Sequence, residues 1–332
     1  MPQPSPASSF SEFSRRGFHR LCLGGAVAAA AGSAALAVGP EVKQESTAPK
    51  VPPGKYIDSH VQLGQPWHER GSLTVEMLLR WMDAQEISQA WVMSLVSPES
   101  WFYPITPGWL LEQTKPFRDR LIPFCAIDPR TVDLGGYKGV LDLLKRYVDQ
   151  GAKGFGEHKW GGPIDDPRSL EIFLACAELK LPVLLHLDAI RNIDKPGLPA
   201  LEKVVREVPG CNFIVHGRGF WASISGTTTA SDLGGLPQGA VTAGGALDRL
   251  LGKYPNLYAD LSGDGAVNAL RRDMKFAREF LVRRADRVLF GTEYHADKQA
   301  APQFALLTEL QLPPDVQARI FRTNAQRLVV AR

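Results

Sequence analysis

Residues 181–219 read LPVLLHLDAIRNIDKPGLPALEKVVREVPGCNFIVHGRG, and this stretch decides the architecture. Two short apolar runs, 182–187 and 212–216, flank a longer amphipathic segment, 198–208. Strand, helix and strand at that spacing form a β-α-β unit, which joins neighbouring parallel strands. The same alternation extends outward in both directions. Further strand-like runs lie at 56–63, 89–96, 121–127, 152–157, 257–261 and 287–291. Between them, LTVEMLLRWMDAQ puts Val75, Leu78, Leu79 and Met82 on one helical face. YKGVLDLLKRYVDQG does the same with Val140, Leu143, Leu144 and Tyr147, and Gly151 stops it. Helices are also expected over 167–179, 245–254, 268–283, 303–310 and 314–330. Eight such units match a (β/α)8 barrel of roughly 250 residues, an α/β fold in a single domain. The alternative, a doubly wound open sheet, lacks the Gly-rich phosphate loop expected after its first strand.

The whole chain has 332 residues, with 44% apolar and 22% charged side chains and a net charge of +3. Gly (31) and Pro (25) are too few for a low-complexity chain, so most of the length folds around a core. Much of the positive charge comes from Arg15, Arg16 and Arg20 in the first 37 residues. The remainder is close to neutral, which argues against nucleic acid as a partner. Those first residues have the form of an address: Ser14-Arg15-Arg16-Gly17-Phe18 precedes an uncharged run that ends in Ala35-Leu36-Ala37. Residues 1–37 thus read as a cleavable twin-arginine signal, which places the mature chain in the periplasm or outside the cell, or tethered if uncleaved. Residues 38–54 are Pro-rich and polar and read as a linker, leaving 55–332 for the barrel. Cys22 aside, Cys125, Cys176 and Cys211 are too few and too widely spaced for a disulfide framework.

A barrel carries its chemistry at the C-terminal ends of the strands. Here the expected strands end in Asp58-Ser59-His60-Val61-Gln62, Glu157-His158-Lys159, His186-Leu187-Asp188, His216-Gly217-Arg218, Asp260-Leu261-Ser262 and Gly291-Thr292-Glu293-Tyr294-His295. Imidazoles and a carboxylate converging from different strands make a nitrogen-and-oxygen site for one divalent metal ion, with Zn2+ the leading choice. A metal-bound water ionises near pH 7, and Glu293 can take its proton as general base. The loop SPESWFYPITPGW, with Trp101, Phe102, Tyr103 and Trp109, and the long loop 219–245 are expected to shape the pocket. The aromatic loop suits a ring-containing small molecule.

At these residues the sequence resembles the amidohydrolase-related (amidohydrolase 2) family of the metal-dependent hydrolase superfamily. The resemblance runs from Ile57 to about Leu328 through IDSHVQLG, GAKGFGEHK, LPVLLHLD, NFIVHGRG, NLYADLSG, RVLFGTEYH and the closing TNAQRLV. It implies a distorted (β/α)8 barrel, one divalent metal, and either hydrolysis of C–N or C–O bonds or non-oxidative decarboxylation. Carried over residue by residue, His60 and His186 are metal ligands, and His216 polarises substrate or water. Two positions depart from the pattern. Gln62 stands where the family has a second histidine, and Glu293 where it has an aspartate. A glutamine oxygen is a weak zinc donor, which moves the expectation toward Mn2+ or Mg2+, or toward a metal-free lactonase or a ligand-binding barrel.

The expected ligand set is therefore His60, Gln62, His186 and Glu293, with Glu293 and His216 catalytic. Arg218, Glu157 and Lys159 are assigned to substrate binding. Arg218 is suited to clamping a substrate carboxylate, which a decarboxylase would require. Glu157 and Lys159 share a strand face and can instead pair with each other, or Lys159 can be carboxylated to bridge two metals. Asp58 orients backbone or a ligand, and His158 and His295 are neighbours of better candidates. A small molecule, carboxylate- or ring-bearing, is the expected partner, alongside self-association into a homo-oligomer.

Overall fold

The computed structural model describes residues 54–329. The paired arginines, the cleavage site, Cys22 and the linker up to residue 53 lie outside the described residues. Eight parallel strands hydrogen-bond in chain order. They are β1 (Tyr56–Gln62), β2 (Ile87–Met93), β3 (Leu121–Cys125), β4 (Gly154–His158), β5 (Val183–His186), β6 (Phe213–His216), β7 (Leu257–Asp260) and β8 (Val288–Leu289). The first and last edges meet. Ser59 N–H donates to Phe290 O (2.9 Å), Glu293 N–H to His60 O (2.8 Å) and Gln62 N–H to Tyr294 O (2.9 Å). The sheet is thus a barrel, not an open layer, and no long edge is left to solvent.

The strand sequences explain their burial. Val-Leu-Leu-His in β5 and Phe-Ile-Val-His in β6 are buried throughout, as expected of strands covered on both faces. Alternate residues therefore serve two cores. Ile57, Trp91, Met93, Phe124, Leu184, Ile214, Tyr258 and Leu289 point inward and fill the barrel. Ala325 and Leu328 of the terminal TNAQRLV segment join that interior cluster. Asn324 Nδ2 anchors the segment by donating to Ala285 O (2.7 Å) and Val288 O (2.8 Å). The outward residues, among them Val183, Leu185, Phe213 and Val215, belong to the larger core beneath the helices.

Two long sequence-expected helices are interrupted. The 268–283 stretch is two helices, Gly263–Arg271 and Met274–Arg283, because Asp273 caps the second by accepting from Phe276 N–H (3.0 Å). The closing stretch is split into Pro314–Ala318, a π-helical turn over Arg319–Thr323, and Asn324–Leu328. Pro107–Thr114 and Arg218–Ala222 are helices that periodicity did not mark. No described helix is long and apolar enough to cross a membrane. Cys125, Cys176 and Cys211 are buried and unpaired, and burial pushes the Cys125 thiol up to about 12.

Candidate active site

The C-terminal strand ends deliver one buried polar cluster, and Glu157 is its centre. Glu157 Oε1 lies 2.8 Å from His216 Nε2, 3.1 Å from Lys159 Nζ and 3.4 Å from His186 Nδ1. Its Oε2 accepts from Gln62 Nε2 (3.1 Å) and faces His60 Nε2 at 3.5 Å. Burial alone would raise the pKa of this carboxyl. Lys159, His60, His186 and His216 overcome that and hold it well below the carboxylate range.

His60 is aimed by groups behind it. Its Nδ1 is 3.0 Å from Ser262 Oγ and 3.2 Å from Asp260 Oδ2, so Nε2 is turned toward Glu157. Asp260 is itself held by Ser59 Oγ (3.1 Å) and Ser262 Oγ (2.5 Å). Gly291 makes the approach of β7 to β8 feasible, since a Cβ there would sit 2.1 Å from Asp260 Oδ1. Burial opposes a proton on His60, but Glu157 and Asp260 outweigh it and raise its pKa to about 10. His216 moves the other way: burial and the neighbouring His60 lower its pKa and keep it neutral. Asp58 ties β1 to the turn after β8, accepting from His60 N–H (3.0 Å), Thr292 N–H (3.1 Å) and Thr292 Oγ1 (2.6 Å), and burial lifts its pKa to about 7.

Glu293 follows β8 with a left-handed backbone (φ 57°), a conformation non-glycine residues pay to adopt. Its Oε1 is 3.7 Å from Lys159 Nζ. Gly263 leaves the other oxygen room, for a Cβ there would lie 2.7 Å from Glu293 Oε2. Burial raises the pKa of Glu293, but the Lys159 ammonium, with the His60 imidazolium behind it, overcomes that and keeps the group ionised.

Three groups of side chains among the described residues are placed to hold a metal ion: His60–Glu157–Glu293, His60–His216–Asp260 and Glu157–His186–His216. The first fits best. His60 Nε2 and Gln62 Oε1 are both buried without a hydrogen-bond partner. The carboxylates that favour a proton on Nε2 also attract a metal ion there, and the two compete for that nitrogen. One nitrogen with three oxygens is a donor set for a harder ion than zinc.

Above the cluster opens a cavity of about 650 Å³, within the usual range for small-molecule sites. Lys159, His186, His216 and Glu293 line it, together with Trp67 and His295. Three arginines also line it. Arg191 is bound to Asp188 (2.9 and 2.5 Å) and Arg218 to Asp264 (3.1 and 2.5 Å). Arg70 has no carboxylate partner among the described residues.

The family model for amidohydrolases matches residues 106–329. The chain belongs to the amidohydrolase family. No curated protein matches it. Among solved structures, it is similar to an uncharacterised TIM-barrel protein from Bordetella bronchiseptica (16% identity, TM-score 0.58, covering 82% of this chain and 97% of that one). It is also similar to a protein from Pseudomonas putida assigned as a 2-pyrone-4,6-dicarboxylic acid hydrolase (14%, 0.56, 82% and 97%). A third is 5-carboxyvanillate decarboxylase from Novosphingobium aromaticivorans, complexed with manganese and a substituted nitrobenzoic acid (15%, 0.53, 82% and 96%). At these identities the likeness carries the fold.

In this amidohydrolase the residues that the sequence singles out meet in one cluster, distributed around Glu157. His60, Gln62 and Glu293 gather around Glu157, which sequence reasoning assigns to substrate binding. His186 stands on the other side of Glu157, its Nε2 bound to Asp188 (2.8 Å) and its Nδ1 3.3 Å from His216 Nε2. Lys159 pairs with Glu157, and Arg218 faces the cavity already paired. His158 points away, between β4 and helix Pro167–Glu178, where Ser169 Oγ meets it at 3.1 Å and burial lowers its pKa to about 3. His295 is at the cavity, its Nδ1 bound to Glu293 O (2.8 Å). Contrary to expectation, none of Trp101, Phe102, Tyr103 and Trp109 lines the cavity; the loop touches it only indirectly, through Phe102 N–H donating to Pro66 O (2.7 Å), next to Trp67. The long loop contributes Gly234 to the lining. Trp67 and Arg70 also line the cavity, and no motif in the sequence marks them. They lie in the non-periodic stretch QPWHERG after β1, where nothing but the nearness of the first strand marks them.

Proposed function

We propose that this amidohydrolase is a hydrolase that opens a C–O or C–N bond of a small anionic molecule. The observation that carries the reading is Glu293: an ionised carboxylate lining the same cavity as Arg70, an arginine without a carboxylate partner among the described residues. His60, Gln62, Glu157 and Glu293 are the residues that would hold a divalent ion, Mn2+ or Mg2+ by the oxygen-rich donor set. When bound, such an ion supplies polarisation of the scissile bond and a water acidic near neutrality. Arg70 holds the anionic group of the substrate, and the Trp67 ring covers the organic part. Glu293 takes the proton of the attacking water and returns it to the leaving atom. His216, neutral, keeps Glu157 in place by donating its Nε2–H to Oε1 (2.8 Å).

A decarboxylase is the second reading, favoured by the unpaired Arg70 guanidinium and by the likeness to the 5-carboxyvanillate enzyme. One assay separates the two. Purified protein with Mn2+ is offered carboxylate-bearing lactones, esters, amides and hydroxybenzoates, with acid release and CO2 release both followed. Acid release without CO2, reduced about 100-fold or more in Glu293→Gln, is the expected result. CO2 evolution would instead establish the decarboxylase. The paired arginines support a further proposal, that the chain is exported by the twin-arginine route.

A further inference from the structure

We propose that Lys159 is a built-in competitor for the divalent ion of this site, so that the ion binds only by displacing its ammonium group. The inference rests on the metal-dependent reading above and adds what controls it. Lys159 follows directly on β4, and its side chain is only 3% exposed. Its Nζ lies 3.1 Å from Glu157 Oε1 and 3.7 Å from Glu293 Oε1. Those two carboxylates belong to the His60–Glu157–Glu293 group. An independent feature points to a ligand at the same group: His60 Nε2 is buried, lacks a hydrogen-bond partner and faces Glu157 Oε2 at 3.5 Å.

Two cations cannot share these carboxylates cheaply. In a buried site their repulsion is poorly screened, and each carboxylate given up by one is gained by the other. The lysine has somewhere to go, because it lines the cavity and carries its charge on a flexible four-carbon stem. A carboxylated Lys159 would do the opposite and set a third negative charge against Glu157 and Glu293. The arrangement therefore gives a chain that holds its ion weakly, with the affinity set by a residue that is not itself a ligand.

The test is to titrate Mn2+ into wild type, Lys159→Met and Lys159→Arg at fixed pH. Free Mn2+ is read from its electron paramagnetic resonance signal, and folding is checked by circular dichroism. Methionine keeps the volume and removes the charge, while arginine keeps the charge. The expected result is at least tenfold tighter binding by Lys159→Met than by wild type, with Lys159→Arg no tighter than wild type. Lys159→Gln, which retains a donor for Glu157, takes the place of the methionine variant if that one does not fold. Equal affinity in wild type and Lys159→Met, weaker affinity in Lys159→Met, or equal tightening in Lys159→Arg would overturn the competition and leave the metal site standing. No binding by either wild type or the neutral variant would overturn the metal-dependent reading with it.

Discussion

Arg70 and Arg218 show how one residue type takes different parts at the same cavity. Arg218 is held by Asp264 through two nitrogens and has little left to offer a ligand. Arg70 lines the cavity without a carboxylate partner among the described residues. Under the proposed function, Arg70→Ala raises KM about tenfold or more with kcat changed little, since the lost contact serves ground and transition states alike. Arg218→Ala has the smaller effect on KM. Steady-state kinetics on the two variants checks this, and the reverse order would return the anion-binding role to Arg218. Glu157 teaches a second lesson about residues. A carboxylate buried among His60, Gln62, Lys159, His186 and His216 costs much to desolvate and is kept because each oxygen has donors or cations around it.

At the scale of elements, the site depends on how closely β7 approaches β8. The Asp260 carboxylate fits only because residue 291 has no side chain, and it is Asp260 that turns His60 toward Glu157. Gly291→Ala should therefore cost about 1–3 kcal/mol from overpacking and depress activity by tilting His60. Gly71→Ala is the matched comparison, because a Cβ at Gly71 meets nothing within 4 Å. Thermal melts and turnover of the two variants decide it; an unchanged melting temperature in Gly291→Ala would count against the close approach. Element boundaries were less legible than element identities. Asp273 ends a helix by satisfying the first backbone N–H groups of the next, a local choice that the apolar spacing of 268–283 does not register.

For the whole molecule, the proposed export by the twin-arginine route predicts that Arg15→Lys combined with Arg16→Lys leaves the precursor in the cytoplasm. Cell fractionation checks this, and unchanged export would refute the route. The barrel itself was legible in the sequence because its strands are buried on both faces and its helices on one. Continuous apolar runs and 3.6-residue spacing therefore alternate along the chain. The ring of polar strand ends was legible for the same reason, each breaking an apolar run at its C-terminal end. Closure of the sheet, the plugging of its interior by Ala325 and Leu328, and the placing of Glu157 at the centre were decided by tertiary structure. Period and composition say which face a side chain takes. Distances between strand ends depend on how eight strands tilt and close, and no single stretch of chain carries that information.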